Sequence, residues 1–362
     1  SSDVCSSDLF VDICEEHNIS FIGPSSYVMN LMSDKSKAKE VMKKANLPVI
    51  EGSEGTLKDV NEAKIIAQAI GYPVVLKATA GGGGKGMRIV DNEQDIEKMF
   101  YACESEAIAS FGNGTMYIEK FIRKPRHIEV QILADKHGNV VHLGERDCSM
   151  QRRNQKLIEE TPAIILHEET REKLLKSAIE AAKYIKYESA GTFEFLVDEN
   201  NNFYFMEMNT RLQVEHTVSE CVSNIDIIEW MIKIEEGETL FNQDEVVFSG
   251  HAIECRILAE DSKKFIPSAG KITKLIVPGG RNVRFDSHIY SGYVVPPYYD
   301  SMIGKIIAWG EDREQAINIM KRILDEFVIE GINTTIDFHK IMLENKDFIH
   351  NEYDTKYIDT NM

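Results

Sequence analysis

The sequence predicts a mixed α/β fold, and three observations carry that prediction. Between about residues 10 and 90, helical runs alternate with short apolar strands punctuated by Gly and Pro. The middle of the chain is a series of strand-like runs (MYIEKFI, HIEVQILA, TFEFLV, FYFMEM) with few helices among them. From Gly250 the texture turns β-rich, with Gly and Pro turns, before two helices close the chain. No repeat with a period of roughly 20 to 50 residues is present, which excludes solenoids and propellers.

Taken in order, SSDVCSSDL nearly repeats a short polar unit, and residues 1–9 are set aside as an artefact of the chain's start. FVDICEEHNISFIGPSS reads as a helix, a short strand at 19–22 and a turn. A helix is expected over 26–45, with Val28, Leu31, Met32, Ala38, Val41 and Met42 as its apolar face and Pro48 beyond its end. A second is expected over 58–70, stopped by Gly71-Tyr72-Pro73. YPVVLKATAGGGGKGMRIVD then supplies a strand at 74–78, a glycine loop at 80–86 and a strand at 87–90, with Asp91 as N-cap of the next helix.

That loop matches G-x-G-x-x-G at Gly81, Gly83 and Gly86, but a dinucleotide fingerprint must open a helix and this loop enters a strand. Nor is it a P-loop, since Gly86 rather than Ser or Thr follows Lys85. The reading that survives is a flap whose backbone N–H groups can fold over phosphates. A merely mobile loop is the plainer alternative. It is weakened by Lys77, a charge in the preceding apolar strand that needs a partner.

TMYIEKFI is a strand ending in Glu119-Lys120, and RHIEVQILAD alternates like a half-buried strand. Its His127, taken alone, is an ordinary satisfied histidine. VVHLGERDCSMQRRNQKLIEE gives a strand and then a basic, amide-rich loop. There Arg152, Arg153 and Lys156 with Gln151, Asn154 and Gln155 make an anion-binding candidate. Helices are expected over 168–187 and 225–234, and a boundary near 237–243. HAIECRIL, GKITKLIVP, NVRFDSHI and SMIGKIIAWG read as strands, followed by helices over 313–330 and 335–344.

Composition narrows the function. The 362 residues suffice for two or three domains, and 43% hydrophobic with 28% charged residues is ordinary for a soluble protein. A net charge of −18 argues against nucleic-acid binding, while leaving room for an anionic substrate in a local basic pocket. No apolar run approaches the ~20 residues of a membrane span. The six scattered cysteines form no C-x-x-C pair and read as reduced thiols of a cytoplasmic protein.

The strongest chemical signal is GTFEFLVDENNNFYFMEMNTRLQVEH. Two β-rich runs flank an Asn-rich turn, which reads as a hairpin centred on Asn200-Asn201. A turn symmetric about that pair sets opposing residues to sum to 401, so that Glu194 faces Glu207. Like charges directly opposite are destabilising and need a cation. Asn209 shares the face of Glu207, and two carboxylates with an amide oxygen form a ligand set suited to Mg²⁺. Arg211, Gln213 and Glu215 continue the same parity if the chain stays extended. A solvated polar hairpin is the plainer reading of two isolated acids. Their setting in FEF and FMEM argues for burial, and buried unpaired carboxylates are too costly to keep.

Taken together, KATAGGGGKGM, EKFIRKPRHIE, ERDCSMQRRNQK, GTFEFL, MEMNTRLQVEH and VPPYYDSMIGK resemble biotin carboxylase, of the ATP-grasp superfamily, from Phe10 onward. The resemblance implies an ATP-grasp fold with a glycine-rich lid, preceded by the remnant of an α/β domain and followed by a β-rich C-terminal domain. The implied divisions are 1–38, 39–236 with the lid at about 49–121, and 250–362. Lys35 and Lys77 would contact ATP phosphates, Gly83 and Gly84 would lie in the lid, Glu119, Lys120 and Ile122 would line the adenine pocket, and Met87 and Leu196 would also bind the nucleotide. His127 would bind the ribose, with Gln151 and Asn154 near the nucleotide, and Glu194, Glu207 and Asn209 would hold Mg²⁺ or Mn²⁺. Lys156, Arg211, Gln213 and the Val214 backbone would bind bicarbonate, Glu215 would be the general base, and Arg284 would contact bicarbonate and biotin.

The implied activity is ATP- and bicarbonate-dependent carboxylation of biotin through carboxyphosphate, the first half-reaction of acetyl-CoA carboxylase in fatty acid synthesis. Its implied partners are biotin carboxyl carrier protein, carboxyltransferase subunits and a second copy of the chain. Two departures stand out. Asn154 occupies a position where some members carry His, and roughly the first 80 residues of the family's amino-terminal domain are not in this sequence. That shortening is expected to expose core surface and lower stability. Competing readings are a biotin carboxylase component of another acyl-CoA or pyruvate carboxylase, a different carboxylate–amine ligase, and a nucleotide-binding fragment without turnover.

Overall fold

The structure, a computed structural model, describes residues 8–82 and 85–362, with backbone alone for Lys35, Ser36, 80–82 and Lys85. The first seven residues and the expected lid residues Gly83 and Gly84 lie outside the described residues. The fold is mixed α/β, as the pattern of elements predicts. The chain divides into two compact units, one of residues 39–123 with 204–206 and one of the remainder.

The smaller unit is a three-stranded antiparallel sheet in the order β2-β1-β3, made of β1 (Val74–Gly82), β2 (Lys85–Val90) and β3 (Met116–Lys120). Helices Val60–Ile70 and Ile96–Phe111 bury Ala63, Ala67, Ile96, Phe100 and Cys103 against Leu76 and Ile118 of that sheet. The Asp59 carboxylate caps the first helix by accepting from the Asn61 and Glu62 N–H groups. Asp91, expected as a cap, instead pairs with Arg123 at 2.5 Å, and the helix starts later.

In the larger unit, helix Asp8–Glu16 begins inside the stretch set aside from the sequence, since Asp8 and Leu9 form its first turn. No strand forms at 19–22, because no described strand pairs with that segment. The single helix expected over 26–45 is two, Ser26–Ser33 and Lys35–Lys44. Asp34 between them is extended (ψ 109°), and its carboxylate accepts the Lys37 N–H, so it opens a new helix rather than continuing the old one.

The main strands are β4 (Arg126–Ala134), β5 (Val140–Arg152), β6 (Gln155–Thr161), β7 (Ser189–Val197), β8 (Phe203–Asn209), β9 (His251–Leu258), β12 (Val283–Ser287) and β14 (Met302–Gly310), while β10 (Gly270–Lys271) pairs with β13 (Val294–Val295) and β11 (Lys274–Ile276) with β15 (Val328–Glu330). The main strands form one eight-stranded sheet in the order β12-β14-β9-β6-β5-β4-β7-β8. β4 is buried at every position rather than half-buried. It packs against helix Glu168–Tyr184, and on the face that carries His127, Glu129 and Gln131 its Leu133 joins Ile227 and Ile234 of helix Ile227–Glu235. The expected basic loop is a tight hairpin instead. Arg153 and Asn154 are its two turn residues, with φ of 48° and 64°, and Gln151 lies directly opposite Lys156.

The carboxyl-terminal core packs Ile253, Cys255, Ile306 and Ala308 against Met320, Ile323 and Leu324 of helix Arg313–Glu326 and Phe338 of helix Ile336–Glu344. The first of these helices ends at Glu326 because Val328–Glu330 leaves it to pair as a strand with Lys274–Ile276. Two short helices, Lys346–Ile349 and Tyr357–Asn361, follow.

Candidate active site

The antiparallel registers of β5, β4 and β7 place Arg146, Glu129 and Glu194 side by side, with Glu129 directly opposite both others. This row is the floor of a buried polar cluster. The fully buried Arg146 donates through Nε to Glu129 Oε1 (2.5 Å), through Nη1 to Gln131 Oε1 and Ser219 Oγ, and through Nη2 to Thr192 Oγ1 and Gln213 Oε1. With its oxygen held by Arg146, the Gln213 amide turns its nitrogen to Glu194 Oε1 at 2.8 Å.

Lys156 rises into this row from β6. Its Nζ donates to Glu129 Oε2 (2.5 Å), Glu194 Oε1 (3.1 Å) and Glu215 Oε1 (2.5 Å). Glu215 is the residue at the N-cap of helix His216–Ser223, and its second oxygen accepts from Arg256 Nη2 at 2.9 Å. Arg256 in turn donates through Nε to Glu159 Oε1 at 2.5 Å.

These charges govern one another. Burial alone would raise the Glu215 carboxyl, but Lys156, Arg256 and Arg146 hold it well below the usual carboxylate range. Burial would likewise raise Glu194, and His127 with Lys156 overcome it and push the group down. Lys156 is lifted well above its ordinary value, because Glu129 and Glu215 outweigh the cost of burying the ammonium. His127 Nε2 lies 3.1 Å from Glu194 Oε2 but not in hydrogen-bonding orientation.

The hairpin carrying Glu194 and Glu207 departs from the expected register. Asp198 N–H donates to the Asn202 carbonyl, so the numbers sum to 400 at the turn rather than 401. The cause is a three-residue loop with Asn201 at φ 60°, in place of a two-residue turn. Carried through unchanged, that register would put Glu207 on the face opposite Glu194. The alternation breaks within β8, where the buried residues Phe205 and Met208 are three apart. Asn209 Nδ2 consequently donates to Glu194 Oε1 at 2.9 Å.

Beyond Asn209 the chain is not extended, and Gln213 and Glu215 reach the cluster through an irregular segment and a helix start. Arg211 is half-buried and donates to the Leu212 carbonyl, and it pairs with none of the cluster's carboxylates. The Val214 carbonyl accepts from Lys305. Of the expected ligand set the structure brings Glu194 and Asn209 together, and their oxygen donors suit a hard divalent cation, since Asn209 turns its nitrogen to Glu194 and keeps Oδ1 available. A mixed group, His127, Glu129 and Glu194, also has ligand atoms close enough to meet one ion, and Glu207 is not part of it.

Several other expected residues lie away from this cluster. Gln151 is buried opposite Lys156, while Asn154 is exposed at its turn. Leu196 is half-buried opposite His127. Arg284, on the edge strand β12, is held by Glu220 (2.6 Å) and Asp286 (2.7 Å) and is not brought to Glu215. The arginine that is brought there is Arg256, on β9 beside β6, where the strand order and not the chain order decides proximity. In the smaller unit, the buried Glu119 carboxylate pairs with Lys77 at 2.6 Å and with Lys39. Lys120 Nζ donates to the Gly71 and Tyr72 carbonyls, Ile122 is half-buried and Met87 exposed.

Sequence reasoning missed Arg146, Glu129 and Arg256. GERD, HIEV and ECRI each set a charge inside an apolar strand, and that signal could have found them.

A carboxylate row bridged by the Lys156 ammonium, on the central sheet of the larger unit, fits the class of ATP-grasp ligases. The family model "Carbamoyl-phosphate synthase L chain, ATP binding domain" matches residues 34–243, and "Biotin carboxylase C-terminal domain" matches 254–360. A biotin carboxylase of Nostoc sp. is 54% identical over 96% of this chain and 78% of that protein. The crystal structure of a biotin carboxylase from Campylobacter jejuni, in a β,γ-ATP complex, is 63% identical with a TM-score of 0.92, covering 99% of this chain and 80% of that one. The biotin carboxylase domain dimer of Hydrogenobacter thermophilus 2-oxoglutarate carboxylase, in complex with MgADP and bicarbonate, is 48% identical with a TM-score of 0.89, covering 99% and 79%. The chain belongs to the biotin carboxylase family: it is an ATP-dependent ligase that carboxylates biotin.

Proposed function

We propose that Lys156 and Arg256 gather bicarbonate beside Glu215 and that Glu215 is the general base. One observation carries the reading. A single buried ammonium touches Glu129, Glu194 and Glu215, so the putting together of base, anion site and metal-binding carboxylate rests on one side chain. Glu215 clamped by two cations is a poor base. An arriving anion competes for Lys156 and Arg256, releases a Glu215 oxygen and raises its basicity when a proton must be taken.

Glu215 removes the bicarbonate proton, and a carbonate oxygen attacks the γ-phosphorus as the bond to ADP breaks. Carboxyphosphate separates into CO₂ and phosphate. Phosphate takes the ureido proton of biotin, and the biotin nitrogen attacks CO₂. We assign Arg256, rather than Arg284, to steady the negative charge on bicarbonate and on the biotin oxygen. Arg211, which has no carboxylate partner among the described residues, and Gln213, which presents an N–H, complete the anion-binding set. A divalent ion held by Glu194, Glu207 and Asn209 would supply charge neutralisation to the phosphates.

Lys35, Lys77, Gly83, Gly84, Met87, Glu119, Lys120, Ile122, His127, Gln151, Asn154 and Leu196 form the nucleotide set in this reading, supported by the resemblance of the motifs that contain them. The functional division into 1–38, 39–236 and 250–362 is supported by the family matches at 34–243 and 254–360. Biotin carboxyl carrier protein and carboxyltransferase subunits are the proposed partners, with a homodimer as the proposed assembly. A reducing cytoplasmic setting is supported by the described cysteines, all free. No helix is long and apolar enough to cross a membrane among the described residues. ADP release that requires both bicarbonate and free biotin, measured on this protein, is the expected result. ADP release indifferent to biotin would overturn the assignment.

A further inference from the structure

Behind Arg256 sits a second pair of carboxylates that the mechanism above does not use. Glu159 on β6 and Glu254 on β9 are directly opposite each other, and both are fully buried. Glu159 Oε1 accepts from Arg256 Nε at 2.5 Å. Glu254 Oε2 accepts from the Thr217 hydroxyl and lies 3.9 Å from Lys305 Nζ. The remaining oxygens, Glu159 Oε2 and Glu254 Oε1, have no hydrogen-bond partner among the described residues. The other titratable groups facing the pair are Lys156, Glu215 and Cys255.

We propose that Glu159 and Glu254 hold one proton between them and act as positioning residues for Arg256, and through it for Glu215. Two ionised carboxylates cannot face each other in a dry interior at little cost. One proton turns one of them into a hydroxyl donor and leaves the other an acceptor, which satisfies both unpartnered oxygens at once. Burial and mutual repulsion act in the same direction, lifting Glu159 to about 8 and Glu254 above its usual range. While the proton stays, Arg256 divides itself between Glu159 and Glu215. Losing it adds a full negative charge on the Glu159 side and draws the guanidinium away from Glu215.

The proposal deepens the assignment of Arg256 and Glu215, and its first test is independent of that assignment. Infrared titration of the unmodified protein should show a protonated-carboxyl band at neutral pH that disappears near pH 8. Glu145, also raised by burial, can contribute such a band, so the band must be lost in Glu159→Gln and in Glu254→Gln. Glu254→Asp, which keeps the acid and shifts the band, serves if either amide variant fails to fold. In activity, kcat/KM for bicarbonate should fall across the same pH interval, and Glu254→Gln should flatten that fall. A neutral-pH spectrum without the band, a band untouched by these variants, or an unchanged alkaline limb in Glu254→Gln would overturn the proposal. Loss of the band on schedule without biotin-dependent ADP release would instead count against the functional reading alone.

Discussion

Replacing Glu215 with Gln keeps the shape of the side chain and removes the proton acceptor. Turnover should fall by roughly 10² or more, the scale of general-base contributions, while ATP binding stays nearly intact. Full activity in that variant would show that another group takes the bicarbonate proton. Arg146 is a different case, because its role is to balance and orient. Arg146→Met removes one of the two cations that hold the buried Glu129, leaving Lys156, and frees the Gln213 amide to flip. A loss of about 3 to 5 kcal/mol of stability is expected, the range for breaking a buried ion pair, read by chemical denaturation. Arg146 lies inside a buried strand, where a charge is a local sign of a partner, whereas Glu215 sits at a helix start that carries no such sign.

The two hairpins set the positions of Lys156 and Glu194, and each depends on a residue that tolerates positive φ. Asn154 at φ 64° should accept Gly with little change in stability, whereas Asn154→Val should cost about 1 to 2 kcal/mol. Measuring nucleotide affinity of Asn154→Gly alongside its melting temperature separates a role in binding from a role in the turn. In the second hairpin, the Asp198 side chain accepts from the Asn200 and Asn202 N–H groups at 2.9 and 2.8 Å. Asp198→Ala should lose about 1 kcal/mol and disturb the Glu194 end, visible as weaker metal-dependent activity. Hairpins and most helices were legible because turn residues and periodicity are local properties. The hairpin's register was not, since a three-residue loop and an irregularity within β8 change it and neither is marked by composition.

At the scale of the molecule, buried titratable groups set opposing slopes on stability. Burial lowers His142, His216 and His339 from 6.5 to about 4, so their contribution is present above 6.5 and is lost as pH falls toward 4. Glu160, Glu194 and Glu215, held low by cations against the effect of burial, add to the loss below 4.5. Glu159 works the other way. Raised from 4.5 to about 8, it contributes most below 4.5 and loses that contribution as pH rises through 8. Glu254 and Glu145 are raised in the same direction, and above 6.5 the histidines add nothing further, so the melting temperature should decline as pH rises from 6.5 toward 8. Calorimetry from pH 4 to 9 checks this, and a curve that keeps rising above pH 7 would contradict it. Glu160 also ties the carboxyl-terminal segment to the sheet, accepting from Arg313, Tyr353 and His251.

By itself the sequence determined the mixed α/β class, the family, and the convergence of Lys156, Glu194, Asn209, Gln213 and Glu215. The class follows from the order of helical and strand-like runs, and the family and the converging residues follow from the order of the motifs that contain them. Only the tertiary structure decided that Arg256 and not Arg284 stands beside Glu215, that Arg146 and Glu129 complete the row, and that Glu159 meets Glu254. Each of those pairings depends on which strands are neighbours in the sheet. β9 lies against β6 across about ninety residues of intervening chain, and strand order is settled by the burial of whole faces rather than by any local run.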